Sequence, residues 1–551
     1  MRSAFIRCVC RPRFFLGLAV LLIGLAHLTI LPPFEGFDEI GHYSSIRQIA
    51  DTGRIPLYGE SFIDSFVETY RAKGPMLYNI LKPYQDDKNI TYEKFASDAQ
   101  LHPDYAATFR NPLPIPLFSS GAMPNWQAQH PPLYYILAAG VMKATNGLSF
   151  VAQFFVLRLF SYLLAFTGLL MGALWFARVA PSGIANETAF RIALCYPFIA
   201  PMFFPEFARL GNDSLCLFLL SLALLCLDAW MRDPSRLRGA VGTGIAVGLG
   251  LLTKAFFLPI AFGLSVFLYF RYRAVRNDPE KAMAYRDGFS MMIFPVLLGA
   301  FWYLYKLEAF GSFSGGADFI SLDRQGGLAA LIHNVTLYPI LRGLIGGFQT
   351  WLGWTTASLQ VFRGSFFIPV IGFNLWLFVC SLRRLPLFRF DEIAWLPFFI
   401  LLPVFLGLAG HMTATIALSG NSQTPGWYLN LFAPLFAVYY AIAFRAIFVE
   451  TRARRILYLF MSYNGLFILA NMLFGALLYG GCFAQTDGKI VPIGKTLACF
   501  KEIPGLFAAL ELLGWPVLSL FCLAGGCCAL FIAFKLWRRE GESLRSVEKA
   551  F

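Results

Sequence analysis

Apolar stretches of helix-spanning length recur along this chain, near 14–31, 150–177, 189–205, 213–231, 238–253, 255–270, 288–308, 366–382, 393–411, 428–448, 456–479 and 513–534, each with few charges. About twenty such residues in an α-helix cross a hydrocarbon core of about 30 Å. The pattern predicts an all-α polytopic membrane protein with about twelve transmembrane helices. The polar intervals are uneven. A long first outer loop covers 32–149, a second covers 311–365, shorter ones fall near 206–212, 411–427 and 480–514, and a tail covers 536–551. Within the first loop the mixture of aromatic and balanced charged residues reads as a folded layer of surface helices, one of them from Pro131 to Asn146, rather than a linker or a separate globular domain.

Composition agrees with one integral membrane domain over 1–551. Hydrophobic residues make up 57%, charged ones only 14%, and the mean hydropathy is +0.60, which excludes an ordinary soluble enzyme. A net charge of +13 would suggest nucleic acid in a soluble protein. Here the basic residues sit between spans, and topology accounts for them. With the N-terminus inside, Arg178 and Arg191, then Arg232, Arg236 and Arg238, then Arg271, Arg273, Arg276, Lys281 and Arg286 all fall in cytoplasmic turns. So do Arg383, Arg384 and Arg389, then Arg452, Arg454 and Arg455, and the tail with Arg538, Arg539, Arg545 and Lys549. The first span follows Arg2, Arg7, Arg11 and Arg13 without a small-x-small cleavage site and reads as an uncleaved anchor. His42, His102, His130, His333 and His411 then lie on the outer face, and His27 in the outer part of the first span. Chemistry is expected there, at the periplasmic face of a bacterial inner membrane.

Most cysteines lie in apolar spans and read as small hydrophobes. Cys482 and Cys499 bracket a polar outer segment, where an oxidising compartment permits a disulfide. Gly244, Gly248 and Gly250 suit close helix packing in lipid; no Gly-Lys-Ser/Thr follows them, so a phosphate-cradling nucleotide loop is disfavoured.

Four constellations at span ends can carry chemistry. Pro32-Pro33 is followed by Asp38-Glu39 with His42 and Tyr43; the ordinary reading of Asp38 is an N-cap for a helix through Tyr43 to Ala50. Next comes Gln129-His130-Pro131-Pro132-Leu133-Tyr134-Tyr135, where an aromatic belt covers the tyrosines but not His130. The third is Glu206 to Ser214, with Arg209, Asn212 and Asp213, for which capping is again the plain alternative. The fourth is Lys254 in Leu252-Thr253-Lys254-Ala255, which snorkelling would satisfy.

The joint order of these motifs, with Arg158-Leu-Phe-Ser between the second and third, resembles the GT-C class of membrane glycosyltransferases, in its branch of protein O-mannosyltransferases and lipid A aminoarabinose transferases. The resemblance covers residues 14–270 as a catalytic half. In the second half only Gln423 to Leu429 is similar, with Trp427 where related proteins show an arginine. The resemblance implies a polyprenyl-phosphate sugar as donor, hexosyl or pentosyl transfer to a lipid, glycan or protein acceptor hydroxyl at the cell envelope, and no nucleic-acid partner. It also implies Asp38 as general base with Glu39 beside it, and His42, His130, Tyr134, Arg209, Asn212, Asp213 and Lys254 as groups that orient substrates and counter phosphate charge. A divalent ion on Asp38 or Asp213 is compatible with the class, though no dense ligand cluster demands one. A lipid-linked glycan polymerase or ligase, with Arg342 and Arg363 in the late outer loop, and a transporter or flippase, with Arg158 as its intramembrane charge, are the alternatives.

Overall fold

The computed structural model describes residues 12–75, 115–180, 185–310, 335–352, 367–389, 391–422, 424–447, 451–482 and 503–550, with short pieces at 92, 95–96, 110, 112, 329, 484–486 and 489–491. Among them, ten helices are long and apolar enough to cross a membrane, so the chain is an integral multi-pass helical protein. The sequence pattern anticipated about twelve, and the difference has two sources. The stretch near 189–205 is broken into three helices in series, Asn186–Leu194, Tyr196–Ile199 and Phe203–Ala208, because Pro197, Pro201 and Pro205 interrupt the backbone ladder. Arg238–Leu251 is an apolar helix but short, about 21 Å at the helical rise.

Elements that place the site take labels in chain order. Helix α1 is Pro12–Ile30, α2 is Glu39–Thr52, β1 is Phe62–Asp64 and α3 is Ser65–Lys73. Strand β2 is Ser120–Pro124, followed by α4, Leu133–Ala144, and α5, Phe150–Val179. Then come α6, Asp213–Arg232, α7, Arg238–Leu251, and α8, Pro279–Phe310.

Helix α1 runs beside the last helix, Pro516–Ala550, which brings the two ends of the chain together: Ser519 Oγ donates to the Ala26 carbonyl at 2.8 Å, and Trp515 N to Thr29 O at 2.9 Å. Glycine sets the other close approaches. A Cβ at Gly168 in α5 would meet the Phe218 backbone of α6 at 2.8 Å, and one at Gly244 or Gly248 in α7 would collide with the α8 backbone at Met292 or Pro295. The glycine run is therefore a helix-packing surface, as its spacing suggested.

The described part of the first long polar interval contains a small sheet as well as helices. Strands β1 and β2 pair antiparallel, with Phe62 opposite Pro124 and Asp64 opposite Ser120. This departs from the helices-only expectation. Asn125 stitches the sheet to α2, its Nδ2 donating to Gly41 O at 3.2 Å and Ser45 Oγ at 3.0 Å. Arg47 of α2 pairs with Asp64 at 2.9 Å and Asp51 at 3.0 Å. The surface helix expected over 131–146 forms as α4. His411 was placed in an outer turn, but the helix Leu396–Ser419 runs through it. His102 and His333, and the Gln423 of the second-half motif, lie outside the described residues.

Basic turns gather at one end of the bundle. Arg13 pairs with Glu187 at 3.1 Å, Arg232 Nη2 donates to Arg178 O at 2.8 Å, and Arg271 lies 3.5 Å from Asp391. The four constellations converge at the other end.

Candidate active site

Pro32 and Pro33 cannot continue α1, and the chain turns back through Phe34 to Asp38. Gly36 is needed in this turn: a Cβ there would meet the Glu39 carboxyl carbon at 2.5 Å and Arg209 Cβ at 2.6 Å. Asp38 sits at the start of α2 with φ 60° and ψ 3°, and its side chain makes no capping hydrogen bond. Its carbonyl starts the helix, accepting from Gly41 N and His42 N, both at 3.0 Å. The capping reading of Asp38 therefore fails. A left-handed backbone, which aspartate tolerates better than most residues, aims the half-buried carboxylate away from the helix, where Trp126 Nε1 donates to it at 2.9 Å.

Glu39 is buried and fully engaged. Arg158 forks onto it, Nε to Oε1 at 2.7 Å and Nη2 to Oε2 at 2.6 Å, while Gly36 N and Leu210 N donate to it at 3.0 and 2.8 Å. Arg158 also donates to the Pro32 carbonyl at 2.7 Å. One ion pair thus clamps the Pro32–Glu39 turn, α5 and the 208–212 turn together. This corrects two expectations. Glu39 has no open position for proton transfer, and Arg158 is the partner of a structural carboxylate near a helix end rather than a transporter's midplane charge.

Arg209 is buried as well. Its guanidinium donates to Glu206 at 2.6 and 3.2 Å, to Phe37 O at 2.9 Å and to Asp213 at 3.4 Å. Asp213 in turn accepts from Lys254 Nζ at 2.7 and 2.9 Å. Glu206, Arg209, Asp213 and Lys254 form an alternating, charge-balanced row inside the protein. Lys254, for which snorkelling at the surface was the plain alternative, is buried, with its ammonium 4.3 Å from the centre of the Tyr428 ring. Asn212 precedes α6 but does not cap it; its Nδ2 donates to Thr253 O at 3.4 Å and its buried Oδ1 makes no hydrogen bond.

His42 hydrogen-bonds the Tyr135 hydroxyl through Nδ1 at 3.0 Å. Burial, then the positive charges of Arg209 and Lys254, push its pKa well below the usual histidine value, so the ring is neutral. His130, half-buried between Trp126 and α4, is pushed down to about 3, by burial first and Lys254 next. Tyr134 is committed elsewhere: its hydroxyl shares a 2.6 Å hydrogen bond with Ser161 in α5, so it holds α4 in place instead of facing a substrate. Asp38, Glu206 and Asp213 all act on Arg209, and Asp213, Lys254 and Arg209 on His130. Asp38, Glu39, His42, His130, Arg209, Asn212, Asp213 and Lys254 therefore belong to one constellation, with Asp38 and His130 its least buried members. Among the described residues no group of three His, Cys, Asp or Glu side chains stands together as a metal site.

Sequence reasoning missed Trp126, the partner of Asp38, and Phe37, which stacks on Trp427 at 4.5 Å and 8°. An aromatic three residues before the Gln129-His130 motif was the available signal for the first. It also missed Lys306 of α8, which acts on His130 through its charge; a lone lysine late in an apolar run was its signal. Cys482 is disulfide-bonded, and Cys499 lies outside the described residues.

Fold and site together define a polytopic membrane protein with a buried charge network and one differently placed carboxylate at a single end of its bundle. No family model and no curated protein matches the sequence. Solved structures with some similarity include the Archaeoglobus fulgidus oligosaccharyltransferase in complex with zinc and sulfate, at 17% identity and TM-score 0.41, covering 84% of this chain and 52% of that one. ArnT from Cupriavidus metallidurans bound to undecaprenyl phosphate is 13% identical, with TM-score 0.43, over 96% of this chain and 77% of its own. The chain spans about half the length of the archaeal enzyme.

Proposed function

We propose that the chain is a membrane glycosyltransferase that moves a sugar from a polyprenyl-phosphate donor to an acceptor hydroxyl, with Asp38 as general base. The placement of Asp38 carries this reading: its carboxylate is turned off the helix start, held by Trp126, and set beside a network whose other carboxylates are all ion-paired. In the reaction the acceptor oxygen attacks the anomeric carbon, the bond from that carbon to the phosphate oxygen breaks, and Asp38 takes the hydroxyl proton while the lipid phosphate leaves. Two of the three ammonium protons of Lys254 go to Asp213, and the third is the donor assigned to the phosphate. Arg209 and Glu39 are positioning residues, since their polar atoms are spent within the protein. Neutral His130, within reach of the charges of Lys254 and Asp213, is assigned to orienting an acceptor or donor oxygen.

Among the described residues the basic turns around Arg13, Arg178, Arg232 and Arg271 lie at the end opposite the site, which under the positive-inside rule supports a reaction on the outer face. Nucleotide sugars are not supplied there, which favours a lipid-carried donor. The test is transfer from a radiolabelled polyprenyl-phosphate sugar by the purified protein in bilayers. Transfer by the wild type and its loss in Asp38→Asn is the expected result; transfer at the parental rate by the variant overturns the assignment of the base.

A further inference from the structure

A cavity of about 770 Å³ opens between the C-terminal half of α2 and the end of α8. Gln48 and Thr52 of α2, Arg54 just beyond it, Ser120 of β2, and Trp302 and Tyr305 of α8 line it. None has a part in the chemistry proposed above. Two of its wall atoms are open: Gln48 Oε1 and Trp302 Nε1 are buried and make no hydrogen bond. Buried polar atoms are nearly always paired, so an unpaired acceptor on the α2 wall and an unpaired donor on the α8 wall point to a polar guest between them. Beside them the Trp302 and Tyr305 rings lie 5.7 Å apart at 50°, and they supply apolar faces among amide, hydroxyl and guanidinium groups.

The cavity is connected to the site by both walls. Gln48 is nine residues along α2 from Glu39, about 14 Å at the helical rise. Lys306 lies one turn beyond Trp302 with its ammonium 5.6 Å from the indole centre, and its charge reaches His130. The geometry points to a carbohydrate subsite: this cleft holds the distal sugars of a glycan acceptor whose terminal hydroxyl reaches Asp38. Pyranose rings present C–H faces that stack on aromatic side chains and hydroxyls that pair with amides and alcohols, which is the mixture this wall offers. A lipid chain would meet only the apolar part of the wall, Ile55, Leu57, Phe118 and Phe301, and would leave Gln48 Oε1 and Trp302 Nε1 unpaired. The inference rests on the glycosyltransferase reading for its acceptor role.

Its test reads binding apart from transfer. Full-length protein in detergent is titrated against reducing-end fluorescent hexasaccharides of glucose, mannose, galactose and N-acetylglucosamine, and polarisation is followed. At least one should bind the wild type and Asp38→Asn equally, weaken about tenfold in Trp302→Ala, weaken also in Gln48→Ala, and recover most of its affinity in Trp302→Phe, which keeps a ring. Absence of binding to the wild type, undiminished binding by both alanine variants, or displacement of the hexasaccharide by a polyprenyl phosphate overturns the subsite. Because Asp38→Asn is scored for binding here and for transfer above, a failed base assignment and a failed subsite give different results.

Discussion

A single backbone angle separates Asp38 from its neighbours. Glu39, Glu206 and Asp213 all have ionised partners within hydrogen-bonding distance, whereas Asp38 has an indole N–H, which orients a carboxylate without neutralising its charge. Asp38→Asn keeps the size and the Trp126 contact yet lacks basicity, and the expected cost is about 10² to 10⁴ in turnover, measured with the protein's elution profile unchanged. Glu39→Gln should behave differently. It strands a buried Arg158, and removing one partner of a buried pair typically costs about 3–5 kcal/mol, so its signature is a lower unfolding temperature rather than a selective loss of turnover. The buried histidines add a pH dependence. His42 and His130 are neutral in the folded protein and protonate near 6.5 when unfolded, so the unfolded state binds more protons as pH falls below 6.5, and stability drops from there toward the folded value, about 3 for His130. Thermal unfolding followed from pH 7 to 5 should show this decline, and it should be shallower in His42→Gln.

At the scale of elements, the site is made by helix ends that meet. The turn after α1 supplies Asp38, the turn before α6 supplies Arg209 and Asp213, and the turn after α7 supplies Lys254. Lys254→Met should therefore disturb more than donor binding, because it leaves Asp213 buried without its ammonium. The double variant Lys254→Met with Asp213→Asn should recover the unfolding temperature but not the turnover at limiting donor. Recovery of both would remove Lys254 from the chemistry. Stability equal to wild type in the single variant would mean that the Asp213 pair contributes nothing to the fold.

For the whole molecule, orientation and the disulfide are the open expectations. Leu117, 77% exposed in the site-bearing layer, and Lys281, exposed at the basic end, are suitable reporter positions. A cysteine at 117 should react with a membrane-impermeant maleimide in intact cells, and one at 281 only after permeabilisation; the reverse pattern would move the chemistry inside. Cys482 should resist the same reagent until reduction, and mass spectrometry of the unreduced protein should show it joined to Cys499.

Hydropathy and charge were sufficient for the class and for ten of the twelve expected spans, because lipid forces backbone pairing within helices and leaves a length-coded apolar signal. The motif residues were legible for a related reason: acidic, basic and histidine side chains at span ends are costly enough to stand out. What those side chains do was not legible. Capping, snorkelling and catalysis call for the same residue types at the same positions along the chain. Asp38 was separated from a cap by a left-handed backbone and by Trp126, 88 residues away. Lys254 was separated from a snorkelling lysine by Asp213, 41 residues away, and Glu39 from a catalytic acid by Arg158, 119 residues away. Local pattern and solvent determine which residues must be in a membrane helix or at its end. Only tertiary packing brings distant charges within about 3 Å, where a hydrogen bond forms, and so decides which carboxylate is paired and which one stays available.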